Sequence, residues 1–179
     1  MLDRDTRILR PANFPATTPG SGHSIIDICG YRFLCMNIQG TVFLDPLDNP
    51  FITADKILKS EEGRYDFALM DIHAEATSEK IAMGRYLDGR VSAVFGTHPH
   101  VQTADEQILP NGTGYITDVG MTGPVNSILG VTPTDVIEKM RTHMPHRFTV
   151  AEGDIVANGA LFDIDPVTAR TRAVTRIKF

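Results

Sequence analysis

The sequence predicts a single α/β domain with a mixed sheet, parallel in mid-chain and antiparallel at both ends. Three observations predict it. Between residues 65 and 118, continuous apolar runs of strand length alternate with a helix-patterned segment, the rhythm of parallel strands joined by a crossover. Two short apolar runs separated by a turn precede this region. Strand-like segments from Phe148 to Phe179 follow it.

In chain order, the stretch from Arg10 to Gly22 is rich in proline and glycine and is read as irregular. Ser24–Ile28 and Arg32–Ile38 are read as antiparallel neighbours joined by Cys29-Gly30-Tyr31. Asp45 to Pro50 is a loop, and a short helix is expected over Ile52–Lys59. Tyr65–Ile72 is an apolar run long enough for a strand buried on both faces. Ser78 to Asp88 reads as a helix with Thr77 or Ser78 as its cap and Gly89 closing it. Ala82, Met83, Tyr86 and Leu87 form its expected apolar stripe, and Glu79, Lys80, Arg85 and Arg90 read as solvated charges. Arg90–Gly96 and Gly114–Asp118 are further buried strands. Pro133 is suited to the first position of a helix that buries Val136, Ile137 and Met140. The tail is expected to form three strands with turns near Glu152-Gly153 and Asp165-Pro166.

Bulk composition sets limits on function. A chain of 179 residues with 42% hydrophobic content is long enough to bury a core as one domain. No run reaches the roughly 18 apolar residues a membrane helix needs, and no signal segment opens the chain, so a cytoplasmic location without membrane partners is expected. The net charge of -5 argues against extended nucleic acid as a partner. It leaves open a small phosphorylated substrate held by cations. Cys29 and Cys35 flank the first turn and could face each other across two strands; buried, reduced thiols are expected.

Three histidines follow strand ends: His73 after Phe67–Ile72, and His98 and His100 after Val91–Thr97. Ligands collect beyond the carboxyl ends of strands in open α/β sheets, so neighbouring strands would bring the three imidazoles together. In extended backbone, His98 and His100 point to one side, and Pro99 between them fixes its own φ. Neutral imidazole is the commonest ligand for zinc, manganese and iron, and three on one zinc with an open position is a second arrangement. From spacing alone, His-x-His is a weak signal.

Longer motifs carry a resemblance. They are Asp71-Ile-His-Ala-Glu-Ala-Thr-Ser-Glu-Lys80, the segment from Tyr86 to Asp105 containing Gly96-Thr-His-Pro-His100, and Tyr115-Ile-Thr-Asp-Val-Gly-Met-Thr-Gly-Pro124. With Leu9-Arg-Pro-Ala-Asn-Phe-Pro15 and Met36-Asn-Ile-Gln-Gly40, the sequence resembles the YmdB-like subgroup of calcineurin-like metallophosphoesterases along essentially its whole length. The resemblance implies a portion of an α/β sandwich that hydrolyses 2′,3′-cyclic nucleotides or similar small phosphodiesters with two divalent ions (Fe, Mn or Zn). His73 is expected on one metal, with His98 and His100 divided between the two. Proline at position 99 replaces a small polar residue more usual in that motif and leaves both ligands in place.

The family's opening strand-Asp, its Glu-Asn ligands and its Gly-Asn-His segment with the acid/base histidine have no counterpart in Met1 to Ile8, and Asp3 and Asp5 lie in the wrong context. The expectation is an N-terminally incomplete domain with no catalytic acid of its own, impaired in hydrolysis and binding a single ion weakly. Exposed strand edges would then favour a homo-oligomer or completion by an N-terminal fragment; a fold retained as a regulatory or binding module is the alternative. Asp118 is expected either to bond a ligand histidine or to cap a turn, and Asp71, on the face of His73, is a weaker candidate for the same bond. Glu75 reads as a solvated loop carboxylate in preference to a contact with metal or substrate, and His23, His143 and His146 read as surface residues.

Overall fold

The structure, a computed structural model, describes residues 2–179. Strands β1 (His23–Ile28) and β2 (Tyr31–Gln39) pair antiparallel. Their two-residue turn, Cys29-Gly30, has φ of 55° and 87°, the pair of left-handed conformations that a type I′ hairpin requires. Cys29 is therefore exposed at a turn, and Cys35 sits opposite Ser24, so the two thiols do not face each other and both are free. Of the expected pair of buried thiols, one is exposed and the other half-buried.

Helix α1 (Pro50–Ser60) starts where Asn49 accepts the Phe51 and Ile52 N–H groups and Pro50 takes a first-turn position. It leads into β3 (Phe67–His73), which lies parallel to β2 with Gln39 level with His73. Helix α2 (Thr77–Leu87) then leads to β4 (Ala93–Thr97), parallel to β3 with His73 level with Thr97. β5 (Gln107–Ile108) and β6 (Gly114–Ile116) complete a six-stranded sheet in the order β1-β2-β3-β4-β6-β5. Its first and last pairs are antiparallel and the pairs between them parallel, as the sequence predicts. β7 (Thr122–Pro124), β8 (Ile155–Ile164) and β9 (Thr171–Lys178) form a second, antiparallel sheet, with α3 (Pro133–Thr142) between β7 and β8.

The core explains which side chains reach the functional end of the sheet. Leu34, Met36, Ile38, Met70, Ile72 and Val94 are buried with Ala54, Ile57 and Leu58 of α1 and Met83 and Leu87 of α2. Each of these side chains larger than alanine contributes about 1.5–3 kcal/mol. Strand alternation sends Asn37, Asp71, His73 and Thr97 to the opposite, half-buried face. There Phe95 approaches Phe162 of the second sheet, with ring centroids 6.4 Å apart.

Several local expectations are corrected. α2 is rotated from its predicted stripe: Glu79, Lys80, Met83, Gly84 and Leu87 are buried, while Ala82 and Tyr86 are exposed. Polar partners at the carboxyl end of the sheet draw the two charges inward. Neither Thr77 nor Ser78 caps this helix, whose N-cap is Ala76 without a side-chain bond. In α3 only Val136 is buried; Ile137 and Met140 are 55% and 69% exposed. The tail contributes two strands, with β7 supplying the third of that sheet, and Val150 makes only an isolated bridge to Val131. No helix among the described residues is long and apolar enough to cross a membrane.

Candidate metal centre

The parallel register of β3 and β4 sets the site. Level with each other, His73 and Thr97 meet side by side, with His73 Nδ1 3.0 Å from Thr97 Oγ1. The Thr97 hydroxyl donates its single proton to Asp71 Oδ1 at 2.8 Å, and Asn37 Nδ2 donates to Asp71 Oδ2 at 2.7 Å. Thr97 Oγ1 can therefore only accept from the imidazole. His73 carries its proton on Nδ1 and turns a bare Nε2 outward. That nitrogen is 3.1 Å from His98 Nδ1, with the two rings edge to face at 85°. The second nitrogen of His98, Nε2, lies 2.9 Å from Glu75 Oε2.

Electrostatics keep His73 in the ligand form. Burial holds its imidazole below the usual range, reinforced by neighbouring His98. Burial likewise pushes the Asp71 carboxyl up, against the opposing pull of its bonds to Thr97 and Asn37. Asn37 Oδ1 is buried without a partner.

The structure brings His73 and His98 together but not His100. His98 and His100 have φ of 128° and 67°, so the segment is not extended and their side chains do not share a side by simple alternation. Non-glycine residues in such conformations cost about 1–3 kcal/mol each. His100 is exposed and takes part in no hydrogen bond or ion pair among the described residues. No group of three or more His, Cys, Asp or Glu side chains among the described residues is arranged to hold a metal. What does fit is a pair. His73 Nε2 and His98 Nδ1, 3.1 Å apart, are the two imidazole nitrogens that would hold a divalent ion here.

Asp118 does not bond a histidine. Its Oδ1 accepts the Gly120 N–H, the turn-capping alternative, and its Oδ2 pairs with Lys80 Nζ at 2.8 Å, both side chains being 1% exposed. The Lys80 stem crosses over Gly96, where an added Cβ would lie 2.8 Å from Lys80 Cδ and 1.9 Å from the Thr117 carbonyl oxygen. Beside it, Glu79 accepts the Thr41 and Val42 N–H groups at 2.9 and 3.3 Å, fixing the loop that leaves β2 next to His73. Sequence reasoning missed Thr97, Asn37 and Lys80 as parts of this end of the sheet. His23 pairs with Glu61 and His146 with Asp135, while exposed His143 ends α3 in a left-handed conformation.

The chain has relatives among known proteins. A family model described as YmdB-like protein matches residues 1–177. The 2',3'-cyclic-nucleotide 2'-phosphodiesterase of Bacillus subtilis (strain 168) is 49% identical over 176 residues, covering 98% of this chain and 67% of that protein. A Mycoplasma genitalium protein, named as a candidate phosphatase/phosphodiesterase, is 34% identical over 96% of this chain and 62% of its own length. Among solved structures, a hypothetical protein from Thermus thermophilus superposes with a TM-score of 0.92 at 40% identity, covering 99% of this chain and 69% of that one. A novel phosphatase from Mycoplasma pneumoniae does so at 0.91 and 31%, covering 99% and 65%. The chain thus spans about two thirds of the length of these relatives.

Proposed function

The chain belongs to the YmdB-like family, and from that premise we propose that it is a metal-dependent phosphodiesterase acting on 2′,3′-cyclic nucleotides or similar small phosphodiesters. The observation that carries the reading is the pair of imidazole nitrogens, His73 Nε2 and His98 Nδ1, held 3.1 Å apart at the carboxyl edge of the sheet. His73 and His98 would hold a divalent cation at this edge. We assign His100 to a second ion, which it would reach by reorientation of its exposed side chain.

A bound cation supplies charge neutralisation at phosphate oxygens and lowers the pKa of a water nucleophile. The protein's part is orientation. Asp71, through the Thr97 hydroxyl, keeps the proton of His73 on Nδ1, and burial keeps that ring neutral and able to donate its Nε2 lone pair. Glu79 and Lys80 hold the flanking loops.

Because only two histidines meet here, a second reading is a binding module that keeps the fold without turnover. Three histidines on one zinc fit the arrangement less well. Metal content and hydrolysis of bis-p-nitrophenyl phosphate and a 2′,3′-cyclic nucleotide separate these readings, with His73→Ala and His98→Ala beside the wild type. Metal and turnover lost in both variants support the phosphodiesterase. Metal without turnover favours the binding module, and no metal in any form refutes the proposed centre.

A further inference from the structure

We propose that Glu75 positions His98, setting which of its nitrogens faces the ion; this rests on the reading of His73 and His98 as ligands of one ion. The two histidines are treated alike. Each turns one nitrogen toward the other and has its second nitrogen anchored to a carboxylate, Asp71 through Thr97 for His73 and Glu75 directly for His98. Glu75 comes from the same strand end as His73, two residues beyond it. That end is pinned by the bond from the Ala74 N–H to the Thr97 carbonyl at 3.2 Å and by complete burial of the Ala74 side chain. The carboxylate is thereby delivered across the mouth of the site onto a ring belonging to the next strand.

The consequence is chemical selection. A carboxylate only accepts, so its place 2.9 Å from His98 Nε2 keeps a proton on that nitrogen and directs Nδ1 to the ion. Without Glu75 nothing on that side holds the ring in place or favours a proton on Nε2. Anchors of this kind are worth about 10–100-fold in metal affinity. The Glu75 side chain is 50% exposed, and a polar contact so placed adds little to folding, so affinity and stability should separate on substitution.

The experiment uses the whole chain, labelled with ¹⁵N, in two steps. Long-range ¹H–¹⁵N spectra of the imidazoles are recorded with chelator present, and Zn²⁺ is then titrated calorimetrically into chelator-free protein. In the wild type, the His98 Nε2 proton gives a hydrogen-bonded resonance. Glu75→Ala should lose that resonance, keep the wild-type melting temperature and weaken Zn²⁺ binding about 10–100-fold. Glu75→Gln, whose amide oxygen still accepts the Nε2 proton, should restore the resonance and most of the affinity. An unchanged His98 resonance in Glu75→Ala overturns the proposal, as does a glutamine variant as impaired as the alanine one. A wild type that binds no Zn²⁺ but shows the Glu75-dependent resonance refutes the metal reading and leaves the positioning of His98 by Glu75 standing.

Discussion

Replacing Lys80 by methionine tests the buried pair on which the site rests. Lys80 Nζ and Asp118 Oδ2 are 2.8 Å apart and both side chains are 1% exposed. At an effective dielectric of about 20, that separation corresponds to an attraction of about 6 kcal/mol. Removing both ions from water costs several kcal/mol each, so the intact pair contributes little net stability. Breaking it is different. Lys80→Met keeps the stem over Gly96 but leaves the Asp118 carboxylate buried with only the Gly120 N–H for a partner, and such losses run to about 3–5 kcal/mol. For a chain of this size the melting temperature should fall by about 6–20 °C. The double variant Lys80→Met/Asp118→Leu removes both charges and forfeits only the bond to Gly120, worth about 1 kcal/mol. Urea denaturation followed by circular dichroism, run as a double-mutant cycle, should give a coupling energy of at least about 2 kcal/mol. A single variant losing less than about 1 kcal/mol, with a double variant no more stable than either single, would refute the argument.

Three further outcomes follow from the same geometry. Gly96→Ala should destabilise or abolish folding, read as lost cooperative unfolding, because its Cβ would meet the Thr117 carbonyl oxygen at 1.9 Å. His73, whose folded pKa is depressed, contributes stability that is fully present above about 6.5 and is lost as pH falls from there through its folded value. In the presence of chelator, His73→Gln should flatten that part of the stability-versus-pH curve, and an unchanged slope would contradict the burial argument. Tyr115, packed against Gly84 and bonded to Thr117, has its phenol pushed up to about 12. Its stabilising effect should therefore fade only between about pH 10 and about 12. Tyr65 and Tyr86 are also raised, so ultraviolet titration should show the latest-ionising phenol of the wild type missing from Tyr115→Phe.

Much of the fold was legible because local signals decide it. Apolar runs bounded by turn residues located β1 to β4 and β6, and Pro133 marked the start of α3, whereas α1 begins at Pro50, inside the stretch read as a loop and two residues before the expected Ile52. The rotation of α2 was not legible. Glu79 and Lys80 default to solvent in any local reading, and what buries them lies 37 or 38 residues away, at Thr41, Val42 and Asp118. In the site, the placement of His73 and His98 at adjacent strand ends was readable from the alternation of strands and helix. Thr97 had a readable signal as well, since parallel pairing of β3 and β4 puts it level with His73. The fate of His100 was hidden in two positive φ angles around Pro99, which nothing in a His-Pro-His tripeptide announces.

The tight hairpin between β1 and β2 has a practical use. Cys29 projects from its tip, exposed, whereas burial pushes the Cys35 thiol up and keeps it less reactive. A thiol-directed probe at neutral pH should therefore mark this protein at one place without any engineered cysteine. β2 runs nine residues from that tip to Gln39, level with His73, a distance of about 30 Å along the strand. A nitroxide on Cys29 would thus sit at the far end of a rigid ruler whose other end is the histidine pair, reporting a paramagnetic ion there without disturbing it.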